Sequence, residues 1–108
     1  GEEVRDFIYI DDICELIKAI IKKSFKGYNV INAGTGKGTK IKKIINYINN
    51  KLSGKIKPKF NKIGSDTNPL RLIPDIEKAK KFNWRPKIKL YDGINTYLEW
   101  FLKNKKND

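Results

Sequence analysis

Apolar residues recur at helical spacing in three places along this chain. From Ile13 to Ile21 the run Ile13-Cys14-Glu15-Leu16-Ile17-Lys18-Ala19-Ile20-Ile21 predicts a first helix, with Asp11 or Asp12 as its N-cap. Lys22, Lys23 and Lys26 complement the dipole at its end, and Gly27 stops it. A second helix follows Thr39 as its cap. It carries Ile41, Ile44, Ile45, Ile48 and Leu52 on one face and ends near Ser53-Gly54. Leu90, Ile94, Tyr97, Leu98 and Phe101 mark a final helix that frays into lysines.

Shorter stretches read differently. Tyr28-Asn29-Val30-Ile31-Asn32 is expected to form a short buried strand. Ile56 to Ile63 alternates apolar and basic residues, as an edge strand does, where Pro58 is tolerated. A turn-rich loop follows over Gly64–Pro69, then a brief extended piece over Leu70–Ile73. Asp75 can cap a short helix through Ala79 and Phe82, which Asn83-Trp84-Arg85-Pro86 ends because a residue before proline resists the α conformation. Strands and helices mixed in this way define an α/β fold, and 108 residues fit one domain's worth of chain.

Composition narrows the chemistry. The chain has no histidine and one cysteine, so a zinc site finds no donor set and no internal disulfide can form. Cys14, among Ile13, Leu16 and Ile17, reads as a small core residue. This fits a reducing cytoplasm, and no apolar run has the ~18–20 residues that cross a bilayer. The net charge is +12, yet of 24 basic residues only Arg5, Arg71 and Arg85 are arginine. Phosphate- and base-reading surfaces favour arginine for its bidentate fork, so the lysines read first as a solvated basic surface. A nucleic-acid-binding module, with Tyr28, Tyr47, Phe60 and Trp84 as stacking groups, is the alternative.

Gly34-Thr35-Gly36-Lys37-Gly38-Thr39 is the obvious candidate for a phosphate loop. It fails as a dinucleotide fingerprint, because Thr39 stands at the third glycine and Ile56-Lys57-Pro58-Lys59 stand where a ribose-binding acid is needed. It fails as a Walker loop because Gly38 follows Lys37. It is read as a structural turn, and Tyr47 with Lys51 as a chance spacing.

Four stretches, in order, carry a resemblance. Arg5-Asp6-Phe7-Ile8-Tyr9-Ile10-Asp11-Asp12 resembles the R-D-F/Y-x-x-V-x-D signature of the extended short-chain dehydrogenase/reductases, with Tyr9 at a site often histidine. Tyr28 to Gly36 resembles that family's Y-N-I-G-x-G strand and turn, and the helix after Thr39 its T/S-I-x-E-L helix. Asp75 to Pro86 resembles D-x-S-K-A-x-x-x-L-G-W-x-P and runs on to a terminal W-Y-type helix at Trp100-Phe101.

The resemblance implies the C-terminal segment of an NAD(P)-dependent nucleotide-sugar epimerase or 4,6-dehydratase. Residues 1–38 would be the edge of the nucleotide-binding Rossmann domain and residues 39–108 the small substrate-binding domain. It implies that Arg5 reaches the pyrophosphate of a nucleotide-diphosphate sugar, for which a guanidinium supplies two parallel N–H bonds. The second basic group would be Lys62, before Gly64-Ser65-Asp66, or Arg71 after that turn. Asp66 joins them as a substrate contact. The implied partners are the nucleotide sugar and an N-terminal Rossmann domain, and a homodimer is compatible with the family. The catalytic Tyr-x-x-x-Lys pair and the NAD(P) loop belong to that other domain, so the segment alone is expected to hold no cofactor and to catalyse nothing. Asp75, Lys78, Ala79 and Trp84 are expected to be structural.

Overall fold

The computed structural model describes residues 1–24, 26–60 and 68–104. Its elements are β1 (Val4–Asp6), α1 (Ile10–Ile21), β2 (Gly38–Lys40), α2 (Ile41–Lys51), β3 (Arg71–Leu72), α3 (Glu77–Lys80) and α4 (Leu90–Asn104). The three strands form one sheet in the order β2-β1-β3. β1 runs antiparallel to β2, with Arg5 opposite Thr39, and parallel to β3, with Arg5 level with Leu72. The fold is α/β, as expected. Among the described residues no helix is long and apolar enough to cross a membrane.

The core forms where α1 meets the segment around α3. Leu16, Ile76, Ala79 and Trp84 are buried together, with Ile8, Ile20 and Ile31 packed against them. Asp12, Leu16 and Ile20 recur every four residues, which turns one face of α1 inward. Ile10, Cys14, Ile17 and Ile21 form a second stripe, and that one is exposed. Cys14 is therefore a surface residue. Of the apolar residues near it in sequence, Leu16 faces the core and Ile17 shares the exposed stripe.

The helix caps also differ from expectation. Tyr9 occupies the N-cap of α1, and neither Asp11 nor Asp12 caps it. The Asp12 carboxylate instead accepts the backbone N–H groups of Lys87 at 3.0 Å and Ile88 at 3.0 Å. Thr39 lies in β2, and α2 starts after Lys40 with no side-chain cap. Asp75 does serve the third helix, its Oδ1 accepting the Glu77 N–H at 2.8 Å. Trp84 is the buried anchor expected of it, 5% exposed.

Two expected strands do not form among the described residues. Tyr28–Asn32 has no ladder partner among the described residues, and Tyr28 is 91% exposed. Among the described residues side chains hold it: Lys78 Nζ donates to the Val30 carbonyl and Asn32 Nδ2 to that of Asp75. Ile56–Phe60 is likewise irregular, tied to α2 by Asn49, which bonds both backbone groups of Ile56. Alternation reports which faces differ in polarity. It does not supply the neighbouring strand that a ladder requires. Leu70–Ile73 does contain a strand, and residues 61–67, with most of the expected turn, lie outside the described residues.

Candidate functional site

The site is built on β1, where Arg5 and Asp6 are adjacent and so leave opposite faces of the strand. Asp6 points into the glycine turn. Its carboxylate accepts the Thr35 N–H at 2.8 Å, the Gly36 N–H at 2.6 Å and the Thr35 hydroxyl at 2.7 Å. A nest of backbone N–H groups is an anion site, and here an internal carboxylate fills it. Gly34 makes the close approach feasible: a Cβ there would lie 2.4 Å from Pro74 Cγ and 2.9 Å from Asp6 Oδ2. The turn is structural, as the sequence indicated. Its N–H groups do not fit a dinucleotide phosphate, because Asp6 already uses them.

Arg5 is half-buried on the other face. Nη1 donates to the Val4 carbonyl at 2.9 Å and Nη2 to Asn68 Oδ1 at 2.6 Å. A guanidinium has five N–H donors, so these two contacts orient the fork and leave others for a ligand. Beside it lies a cleft of about 490 Å³, lined by Arg5, Ile8, Asn32, Gly34, Leu72 and Asp75 among others.

The other named residues are placed unequally. Arg71 pairs in register with Val4, one residue out of phase with Arg5. Their side chains therefore leave opposite faces of the sheet, and the structure does not bring these two cations together. Lys62 and Asp66 lie outside the described residues. At the far edge of the sheet Glu2 pairs with Lys40 at 2.7 Å and with Lys42, and these two ammonium groups hold its carboxyl down to about 2.

Sequence reasoning missed Asn68, the residue that orients Arg5, because nothing local marks it. It also assigned Asp6 no partner. The available signal was the turn itself, whose N–H groups need acceptors. The aromatic residues proposed for stacking on bases are scattered. Trp84 is buried, and the Tyr47 ring lies on Tyr91 at 4.5 Å while its hydroxyl donates to Asn95. Lys51 rests over the Tyr47 ring at 5.6 Å, a packing contact.

No protein-family profile matches the chain. Individual proteins do, and they include nucleotide-sugar epimerases and synthases, a pattern consistent with a C-terminal segment of the extended short-chain dehydrogenase/reductases. An uncharacterized protein of Methanocaldococcus jannaschii is 36% identical over 106 residues, which cover 97% of this chain and 32% of that protein. The UDP-glucose 4-epimerase of Thermotoga maritima, solved with UDP-glucose, is 32% identical with a TM-score of 0.79, over 96% of this chain and 33% of that one. The Bordetella bronchiseptica enzyme WbmG, solved with NAD and UDP, shares the fold at 21% identity, with a TM-score of 0.81 over 95% of this chain and 34% of its own. The chain thus spans about a third of the length of the relatives it matches.

Proposed function

We propose that this chain is the nucleotide-sugar-binding part of an NAD(P)-dependent nucleotide-sugar epimerase or 4,6-dehydratase. The observation that carries the reading is the likeness, over nearly the whole chain, to a UDP-glucose-bound 4-epimerase. It coincides with an arginine fixed on β1 by the Val4 carbonyl and Asn68. Arg5 would take the pyrophosphate, with Lys62 as its second cation and Asp66 as a substrate contact on the same segment as Asn68. Arg71, on the opposite face, contributes less.

The proposed division assigns residues 1–38 to the edge of the nucleotide-binding domain and 39–108 to the substrate-binding domain. The Tyr28–Asn32 segment would then find its missing ladder partner in the nucleotide-binding sheet. That other domain would supply the NAD(P) site and the hydride and proton chemistry, and this chain the grip on the nucleotide. The whole protein is placed in the cytoplasm, where nucleotide sugars and the lone thiol Cys14 are both at home.

Assays of the gene product and of this chain alone, each with NAD(H) and a panel of nucleotide sugars, test the reading. Turnover by the gene product is expected, with none by the chain. Turnover by the isolated chain, or NAD binding tighter than about micromolar, would overturn it.

A further inference from the structure

A second cleft, of about 320 Å³, opens between the glycine turn and the start of α4. Its walls include Lys37, Lys87 and Lys89, the rings of Phe7 and Tyr91, and Thr39. It shares no lining residue with the cleft beside Arg5, and the Asp6–Thr35 tie separates the two. None of these three lysines forms an ion pair among the described residues, whereas Lys18, Lys40, Lys42 and Lys80 all do.

Three of the local backbone donors are already engaged: Lys37 N–H bonds Thr35 Oγ1, and the Lys87 and Ile88 N–H groups bond Asp12. The lysine amines are what the cleft has to offer an anion. Charges of one sign around a concave, partly apolar wall focus the field. The first turn of α4, at the rim, adds the positive end of a 15-residue helix. Asp92 on that turn is exposed and does not line the cleft. Tyr91 is braced from behind by Tyr47, so its ring is a fixed wall.

We propose that this cleft is a second anion site, which takes a small organic phosphate carrying a planar ring, as a nucleoside monophosphate does. The lysines would hold the phosphate and Phe7 and Tyr91 the ring. The volume lies at the small end of the range for ligand pockets, which favours a monophosphate over a larger polyanion.

The test is a titration of the chain with UMP, with inorganic pyrophosphate and with uridine, followed by the amide shifts of Thr39 and Tyr91. UMP and pyrophosphate should produce saturable shifts at both residues, and uridine should not. The triple variant Lys37→Gln, Lys87→Gln, Lys89→Gln should raise the UMP dissociation constant read there by at least about tenfold. A control triple of equal charge, Lys43→Gln, Lys51→Gln, Lys103→Gln, should change it by less than about twofold. Equal weakening by both triples would reduce the effect to net charge and overturn the proposal. So would UMP shifts confined to other residues of the unmodified chain, a readout that needs no variant to fold.

Discussion

The indole N–H of Trp84 donates to the backbone oxygen of Asp12 at 2.8 Å, joining residues 72 apart in sequence. The Asp12 side chain, 4% exposed, returns the contact by accepting from Lys87 and Ile88 just beyond that tryptophan. One residue of α1 thus fastens both ends of the Trp84–Ile88 segment. Trp84→Phe should cost about 1–2 kcal/mol through the lost hydrogen bond and area, and Trp84→Ala about 3–5 kcal/mol. Asp12→Ala should cost about 1–3 kcal/mol, because the part-buried Lys87 and Ile88 N–H groups lose their acceptor. Urea denaturation midpoints should follow that order.

Asp6 predicts a local effect. With Asp6→Ala the Thr35 and Gly36 N–H groups lose their acceptor, and hydrogen exchange at those two amides should speed up by about tenfold or more. Exchange in α2 should hardly change. Equal protection in variant and parent would show that the carboxylate does not hold the turn.

Glu2 gives a pH signature. Its folded pKa is about 2, below the ordinary 4.5, because Lys40 and Lys42 donate to it. A depressed folded pKa means that the contribution is present above the unfolded value and is lost as pH falls through the folded one. The tie from Glu2 to Lys40 and Lys42 should therefore loosen between pH 4.5 and 2. A carboxyl chemical-shift titration reads this, and Lys42→Ala should move the Glu2 midpoint upward.

The outer stripe of α1 concerns solution behaviour. Ile10, Ile17 and Ile21 are 59%, 48% and 76% exposed. An apolar helix face of this kind promotes association. Sedimentation velocity of the isolated chain should show concentration-dependent self-association that the pair Ile17→Lys, Ile21→Lys suppresses. Cys14, on the same stripe, should react with thiol reagents in the monomer.

How far the sequence carried follows from the physics of each element. The helices were legible because each has a wide apolar face repeating every three to four residues, and α1, α2 and α4 fall where that periodicity runs. On α1 apolar residues cover both faces, so periodicity could not show that Leu16 is buried, that Ile17 is not, or that Cys14 is on the surface. The strands were poorly legible. β1 and β2 are three residues each and are defined by each other, while Tyr28–Asn32 has strand-like residues and no partner. At the site, the structural nature of the glycine turn was legible from spacing. The Arg5–Asn68 contact and the Asp6–Thr35 tie were not, because both are made by tertiary approach. The out-of-phase register of Arg71 was hidden for the same reason.

The proposed role of Arg5 as the pyrophosphate ligand is tested most directly by a calorimetric titration of UDP- and GDP-sugars against the whole protein that contains this chain. A charge-assisted bond contributes roughly 1.5–3 kcal/mol. Arg5→Ala should therefore raise the nucleotide-sugar dissociation constant by about ten- to a hundredfold. Arg71→Ala should have a smaller effect, and the triple Lys43→Gln, Lys51→Gln, Lys103→Gln should leave the constant nearly unchanged. An Arg5→Ala protein that binds every nucleotide sugar as tightly as its parent would contradict the account.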